Sequence, residues 1–76
     1  MKHKKLSTAE DIGAMVRAAR HKQRISQEQL AGVAGTGVRF ISDLENGKST
    51  VQLEKVIKVI EALGMGLYAL SRWELK

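Results

Sequence analysis

The 76-residue sequence contains no cysteine, no proline and only one Phe, one Tyr and one Trp. Without cysteine the chain forms neither a disulfide nor a thiolate zinc site, and His3 and His21 are too few and too far apart to hold a metal ion. The lack of proline and of aromatic bulk favours helices around an aliphatic core over a loop-rich design. We therefore expect an all-helical protein with no metal and no cofactor.

Acidic residues are also in the minority, because 13 Lys and Arg stand against 8 Asp and Glu, for a formal net charge of +5 and a pI near 9.9. This balance points toward a polyanionic partner, although many small soluble domains are basic too. No apolar run approaches the roughly 20 residues that span a bilayer, and the basic residues 1–5 lack the apolar stretch of a secretory signal. We therefore expect one small cytoplasmic domain, for which oligomerisation is the remaining source of extra stability.

The N-terminal part of the sequence predicts a basic arm followed by a helix. Residues 1–6 are expected to form a flexible arm, which would either track phosphates or a minor groove, or be a tail without a binding role. Ser7 and Glu10 have the spacing of a capping box, so the helix is expected to begin there and to run to about Lys22. Its apolar face recurs at i, i+3, i+4 and i+7 and comprises Ile12, Met15, Val16 and Ala19.

Two short helices are predicted in the middle of the chain. Ser26 and Gln29 form a second capping box, and Gly35 ends that helix after about two turns. The next helix covers residues 37–45 and ends at Asn46-Gly47, which tolerate positive φ. A tight turn between two such helices lets the second enter the DNA major groove while the first crosses the backbone. The spacing supports such a helix-turn-helix over residues 27–46, through Leu30, Ala31, Gly35, Ile41 and Leu44.

A fourth helix and a short strand are predicted near the C-terminal end. Ser49 or Thr50 is expected to cap the helix, which ends at Gly64. Beyond it, residues 67–70 are apolar and follow Gly66, which fits a strand better than a fifth helix. The core stripe of the fourth helix is expected to comprise Leu53, Val56, Ile57, Ile60 and Leu63.

The predicted strand has no partner within the chain, and a lone strand is not stable. Tyr68 would therefore either pair, with its neighbours, against the same segment of a second subunit, or merely cover the end of the core. The prediction is pairing, in an antiparallel two-stranded sheet across a homodimer. Trp73 would either tuck under that sheet or anchor a partner protein. The predicted dimerisation residues are Leu67, Tyr68, Ala69 and Leu70.

Four stretches of this sequence share the pattern of one known family: Ile25–Ala31, Gly35, Ile41–Lys48 and Leu53–Leu63. Through them the chain resembles the Cro/C1-type (XRE) helix-turn-helix family over about residues 12–64. More narrowly, Gly37–Ile41 together with residues 67–70 is similar to the HipB-like antitoxins of type II toxin-antitoxin operons. The resemblance implies a compact all-α, four-helix domain over residues 7–64, followed by a dimerisation strand and tail over residues 65–76.

The resemblance also implies a DNA-binding surface. The start of the second helix would contact phosphate, the outer face of the third would read base edges, and the loop after it would touch the backbone. Arg39 would pair bidentately with guanine, and Val38 would pack on a thymine methyl group. Gly37 and Asp43 differ from the polar residues that usually read bases at these positions. The Asp43 carboxylate would accept from cytosine N4 but would be repelled by a nearby phosphate. The predicted DNA-binding residues are Ser26, Gln27, Thr36, Gly37, Val38, Arg39, Ser42, Asp43, Asn46 and Lys48.

Arg20 and Glu45 lie where the family often forms a partly buried ion pair, so the resemblance implies a structural role for both. It implies, as a function, a homodimeric repressor of double-stranded operator DNA with two half-sites roughly 34 Å apart. By likeness to the HipB-like antitoxins, the protein would also bind a HipA-like toxin kinase and repress its own operon. Two alternatives stay open: a toxin-neutralising module with weak DNA binding, and a phage-type repressor without a toxin partner. No enzymatic activity is expected, for want of convergent acids, bases or metal ligands.

Overall fold

The computed structural model describes residues 4–73, which fold into four helices. Residues 1–3 of the predicted arm, His3 among them, and residues 74–76 of the predicted tail lie outside the described residues. The described part contains no strand, and none of its helices is long and apolar enough to cross a membrane. The predicted four-helix, all-α class is thereby confirmed. The helices are α1 (Ala9–Lys22), α2 (Gln27–Ala34), α3 (Val38–Glu45) and α4 (Leu53–Ala62).

Capping boxes begin the first two helices. For α2 the box is the predicted one, because the Ser26 hydroxyl accepts from the amide of Gln29 while the Gln29 side chain accepts from the amide of Ser26. For α1 the predicted box is wrong by one residue: Thr8 is the N-cap, and its hydroxyl accepts from the Asp11 amide at 3.0 Å. The Asp11 carboxylate in turn accepts from the amides of Ser7 and Thr8, and these hydrogen bonds hold its pKa below the ordinary value.

Each helix is followed, within two residues, by a residue in the left-handed backbone conformation. At the end of α1 this residue is Arg24, with φ of 58°, and the amide of Ile25 closes the turn onto the carbonyl of Arg20 at 3.3 Å. A side chain in this conformation costs about 1–2 kcal/mol, so α1 ends without the glycine that usually occupies this position. The other three helices follow the glycine rule, with Gly35, Gly47 and Gly64 at positive φ.

The start and the buried face of α4 differ from the prediction. The expected cap at Ser49 or Thr50 is wrong, because α4 begins after Gln52, whose side chain makes no capping hydrogen bond. Leu53 is 67% exposed and does not belong to the core stripe, because it stands at the first residue of the helix, ahead of the buried run. Val59 is fully buried instead. The buried stripe keeps the helical period and comprises Val56, Val59, Ile60 and Leu63.

The core positions α3 against two other helices. α3 packs on α1 and on α2, and α2 also packs on α4. Gly13 of α1 lies directly against the end of α3: a Cβ atom there would stand 2.9 Å from the carbonyl oxygen of Glu45 and closer still to that of Leu44. The close approach requires glycine, because a side chain at position 13 would hold α3 farther from α1.

The segment after α4 leaves the helical bundle. Gly64 reverses the chain, and the amide of Met65 bonds back to the carbonyl of Ile60 at 3.1 Å. Residues 65–71 form neither a fifth helix nor a strand in the single described chain. Because a strand needs a neighbouring strand to pair with, the pairing of residues 67–70 across a homodimer stays a prediction.

Candidate nucleic-acid interface

The turn between α2 and α3 runs from Gly35 to Gly37. Gly35 has φ of 74° and ψ of 34°, and the amide of Thr36 donates to the carbonyl of Ala31 at 2.9 Å. Gly37 is extended and occupies the position just before α3. Because glycine adopts positive φ without the steric cost that a side chain imposes, the chain reverses within these residues and α3 packs back on α2.

The N-terminus of α3 is not covered by a cap. Gly37 has no side chain to accept from the first amides of the helix, and no other side chain of residues 4–73 caps them. The Thr36 hydroxyl points elsewhere, to the carbonyl of Gly37 at 3.4 Å. The first amides of α3 therefore remain available to an external acceptor, and the positive end of a helix favours an anionic one.

One side of α3 is accessible and carries the predicted base-reading residues. Val38 and Arg39 are exposed in the first turn, and Ser42 and Asp43 are half-buried one turn later. The spacing i, i+1, i+4 and i+5 places all four on the same side of the helix, while the opposite side contributes to the core. The structure thus brings these four side chains together on one accessible surface.

A buried ion pair fastens the end of α3 to α1. The Nε and Nη2 atoms of Arg20 donate to Oε2 and Oε1 of Glu45 at 2.7 and 3.0 Å, and the two residues are only 8% and 6% exposed. Two parallel bonds of this kind match the planar guanidinium to the carboxylate. They raise the pKa of Arg20 above its already high ordinary value. Arg20 and Glu45 therefore form the pair that the resemblance implied.

Two predicted phosphate-side residues are already engaged within the protein. The Ser26 hydroxyl accepts from the amide of Gln29 as part of the α2 capping box. Gln27, the first residue of α2, donates from Nε2 to Oε1 of Glu45 at 3.1 Å. An amide nitrogen carries two hydrogens, so Gln27 retains a second donor. Glu45 therefore orients Gln27 at the start of α2, an effect that the sequence pattern did not indicate.

The loop after α3 places a cation beside Asp43. The ammonium of Lys48 lies 3.5 Å from Oδ2 of Asp43, and both side chains are partly accessible. Asn46 is exposed between them along the chain. The ion pair reduces the repulsion that the Asp43 carboxylate would otherwise exert on a phosphate, so the acidic residue is compatible with a DNA-facing surface.

Arg17 is a surface residue that the sequence patterns did not single out. Its Nε lies 3.7 Å from Oε1 of Glu45, although the side chain is 56% exposed. The available signal was its position three residues before Arg20 on the same helix, which places both on neighbouring turns. A second unpredicted contact sets the ammonium of Lys55 5.7 Å from the ring centre of Phe40, within cation–π range.

The C-terminal segment exposes large apolar side chains. Tyr68 is 82% and Trp73 77% exposed, and Leu67 and Leu70 are exposed as well. The Tyr68 ring lies over Gly66, where a Cβ atom would come within 2.8 Å of it. In the single chain Tyr68 therefore does not cover the end of the core.

No group of His, Asp and Glu among residues 4–73 is arranged to hold a metal ion.

The chain is similar to known proteins over nearly all of its length. The sequence pattern of the helix-turn-helix family matches residues 16–70. The "Uncharacterized HTH-type transcriptional regulator y4mF" of Sinorhizobium fredii (strain NBRC 101917 / NGR234) is 49% identical over 71 residues, which cover 93% of each chain. The fold is similar to HipB in the HipB-O4 20mer complex and in the HipA-HipB-O2-O3 complex. Each match has a TM-score of 0.84 at 18% identity and covers 92% of this chain and 99% of that one.

Proposed function

This chain belongs to the helix-turn-helix family and is a transcriptional regulator of that type, and on this premise we propose that it is a homodimeric, sequence-specific repressor. The observation that carries the proposal is α3 itself. Its N-terminus has no side-chain cap, its accessible side carries Val38 and Arg39, and its far end is fixed by the buried pair of Arg20 and Glu45. A helix held in this way presents a rigid surface to the major groove.

The side chains of this surface divide between bases and phosphates. Arg39 supplies two parallel donors for guanine O6 and N7, and Val38 supplies an apolar contact for a thymine methyl group. Asp43 accepts from cytosine N4, while Lys48, its partner in the ion pair, turns to the DNA backbone. The remaining proposed contacts are Ser26, Gln27, Thr36, Gly37, Ser42 and Asn46.

The exposed C-terminal segment supports the proposal of a dimer. Three large apolar side chains that meet water in one chain, Leu67, Tyr68 and Leu70, would be covered when residues 67–70 pair with the same segment of a second copy. Such a dimer places two copies of α3 on one side, for half-sites roughly 34 Å apart. The number of readers on each α3 is small, so a second copy contributes much of the specificity.

A toxin partner forms the finer part of the proposal. The fold is shared with HipB, which was solved together with HipA, and Trp73 offers an exposed aromatic anchor for a partner protein. We propose that the chain is the antitoxin of a HipA-like kinase and represses the operon that encodes both. If the chain has no toxin partner, the same DNA-binding surface would make it a phage-type repressor.

A gel shift with the DNA upstream of its own reading frame tests the repressor proposal. The expected result is retardation that an excess of random-sequence duplex does not abolish. Absence of retardation even at low salt, where phosphate contacts are strongest, would contradict DNA binding and favour a toxin-neutralising module. Co-purification with the product of the adjacent reading frame tests the toxin proposal separately. DNA binding without such a partner would favour the phage-type repressor.

A further inference from the structure

The contacts of Arg17 indicate a role for a residue of α1, which lies outside the helix-turn-helix. Its guanidinium lies beside Oε1 of Glu45, yet both oxygens of this carboxylate already accept hydrogen bonds from Arg20. The 3.7 Å separation from Arg17 Nε is longer than a hydrogen bond. One negative charge is thus shared between two guanidinium groups, and the one that is buried has the better geometry. The charge of Arg17 is left largely uncompensated by this carboxylate and faces solvent.

The same carboxylate oxygen also places Arg17 next to Gln27. Oε1 of Glu45 accepts from Nε2 of Gln27 at 3.1 Å and lies 3.7 Å from Nε of Arg17. An amide donor at the start of α2 and an accessible cation on α1 therefore converge around one atom. Because the oxygen belongs to a buried residue at the end of α3, the positions of both donors are tied to the position of the reading helix.

We propose that Arg17 is a further DNA-contacting residue, which binds a backbone phosphate next to the one contacted by Gln27. The inference rests on the proposed function, because it assigns a residue of α1 to the same DNA interface. Arginine suits this task, since its planar fork binds phosphate in two-point fashion and remains charged at every physiological pH. Glu45 is the positioning residue, which holds Arg17 by its charge without neutralising it.

The test uses the sequence-independent character of a phosphate contact. Binding of the full chain to a random-sequence duplex and to the duplex from upstream of its reading frame is measured from about 50 to about 200 mM salt, the range over which phosphate contacts lose affinity steeply. Replacement Arg17→Gln is expected to weaken both complexes by a similar factor and to reduce the slope of log K against log salt by about 1 per subunit. Replacement Arg17→Lys keeps the charge and should keep the slope close to that of the unaltered chain.

Lys58→Gln is the matched control, because it removes one exposed positive charge from α4, outside the helix-turn-helix. Its salt slope should equal that of the unaltered chain. An unchanged slope for Arg17→Gln would overturn the proposal, even with a lower melting temperature, since Arg17 would then only brace Glu45. Circular dichroism measures whether Arg17→Gln still folds, and loss of the fold would overturn the proposal as well. Failure of the unaltered chain to bind either duplex would instead refute the proposed function, and the inference with it.

Discussion

The guanidinium of Arg20 in α1 binds the carboxylate of Glu45 at the end of α3 and a backbone carbonyl just before α2, so it links three segments of the chain. Nε and Nη2 bind the carboxylate at the end of α3, and Nη1 donates to the carbonyl of Ile25 at 2.9 Å, just before α2. The Glu45 side chain is closed to solvent, and it also accepts from Gln27. The relative positions of α1, α2 and the reading helix therefore depend on one charged pair.

Removal of the carboxylate should be severely destabilising. In Glu45→Ala the Arg20 charge stays almost fully buried without a carboxylate to compensate it, and removal of one member of a buried ion pair costs about 3–5 kcal/mol. Small domains have only about 5–15 kcal/mol of stability in total. We expect the free energy of unfolding, measured by urea denaturation, to fall by about that amount. Glu61→Ala, which removes an exposed carboxylate of α4, serves as the control. A loss below about 1 kcal/mol for Glu45→Ala would show that the pair is dispensable.

The same carboxylate predicts a loss of stability in acid. Burial tends to raise the pKa of Glu45, but the hydrogen bonds from Arg20 and Gln27 and the charges of Arg20 and Arg17 outweigh it, so the pKa lies below the ordinary value. A lowered pKa in the folded state stabilises the protein above the unfolded-state pKa, near 4.3, and this contribution is lost as the pH falls through the folded-state pKa. The urea midpoint should therefore decrease below about pH 4. Asp11→Asn is the control: it removes a second carboxylate whose pKa is lowered, so the decrease that comes from Glu45 should persist in this variant.

Local sequence signals determined some features of the fold and tertiary contacts determined others. Ser26 with Gln29 and the glycine at position 35 act within a few residues of one another, so the start and end of α2 follow from the sequence. The start of α1 illustrates the limit, because Ser7 with Glu10 and Thr8 with Asp11 have the same spacing. The structure selects the second pair, in which one carboxylate accepts from two consecutive amides.

The candidate interface shows the same division. Helical geometry alone places Arg39 and Asp43 on one side of α3. The hydrogen bond from Gln27 to Glu45 and the approach of Arg17 join residues far apart in the chain, and they depend on how three helices pack. No local pattern contains that information.

Arg39 should determine base preference. Its replacement in Arg39→Ala removes the proposed bidentate contact with guanine and should cost about 1–3 kcal/mol of operator affinity while relaxing the preference at one base position. Lys48→Ala is the comparison, because loss of a phosphate contact should weaken operator and random-sequence duplexes alike. Competition assays on operator variants measure both effects. Unchanged affinity and preference in Arg39→Ala would show that the reading surface lies elsewhere.

Gly13 and Gly32 should respond in opposite ways to alanine. Gly13→Ala drives a methyl group into the backbone at the end of α3, and overpacking of this kind costs about 1–3 kcal/mol. Gly32 lies in α2 with no heavy atom within 4 Å of a Cβ atom built there, so Gly32→Ala should gain about 0.5–1 kcal/mol from helix propensity. Thermal unfolding of both variants gives the comparison. Equal effects would contradict the close approach of α1 to α3.

The C-terminal segment should control the oligomeric state. A chain that ends at Met65 keeps the hydrogen bond from its amide to Ile60 and the whole buried core, but it loses the segment proposed to pair. We expect this chain to remain helical and to sediment as a monomer, whereas the full chain sediments as a dimer. A chain that ends at Leu70 is the control, because it keeps residues 67–70 and lacks Trp73. If this control is dimeric, strand pairing suffices and Trp73 is free for a partner protein; a dimeric chain ending at Met65, or a monomeric full chain, would refute the pairing.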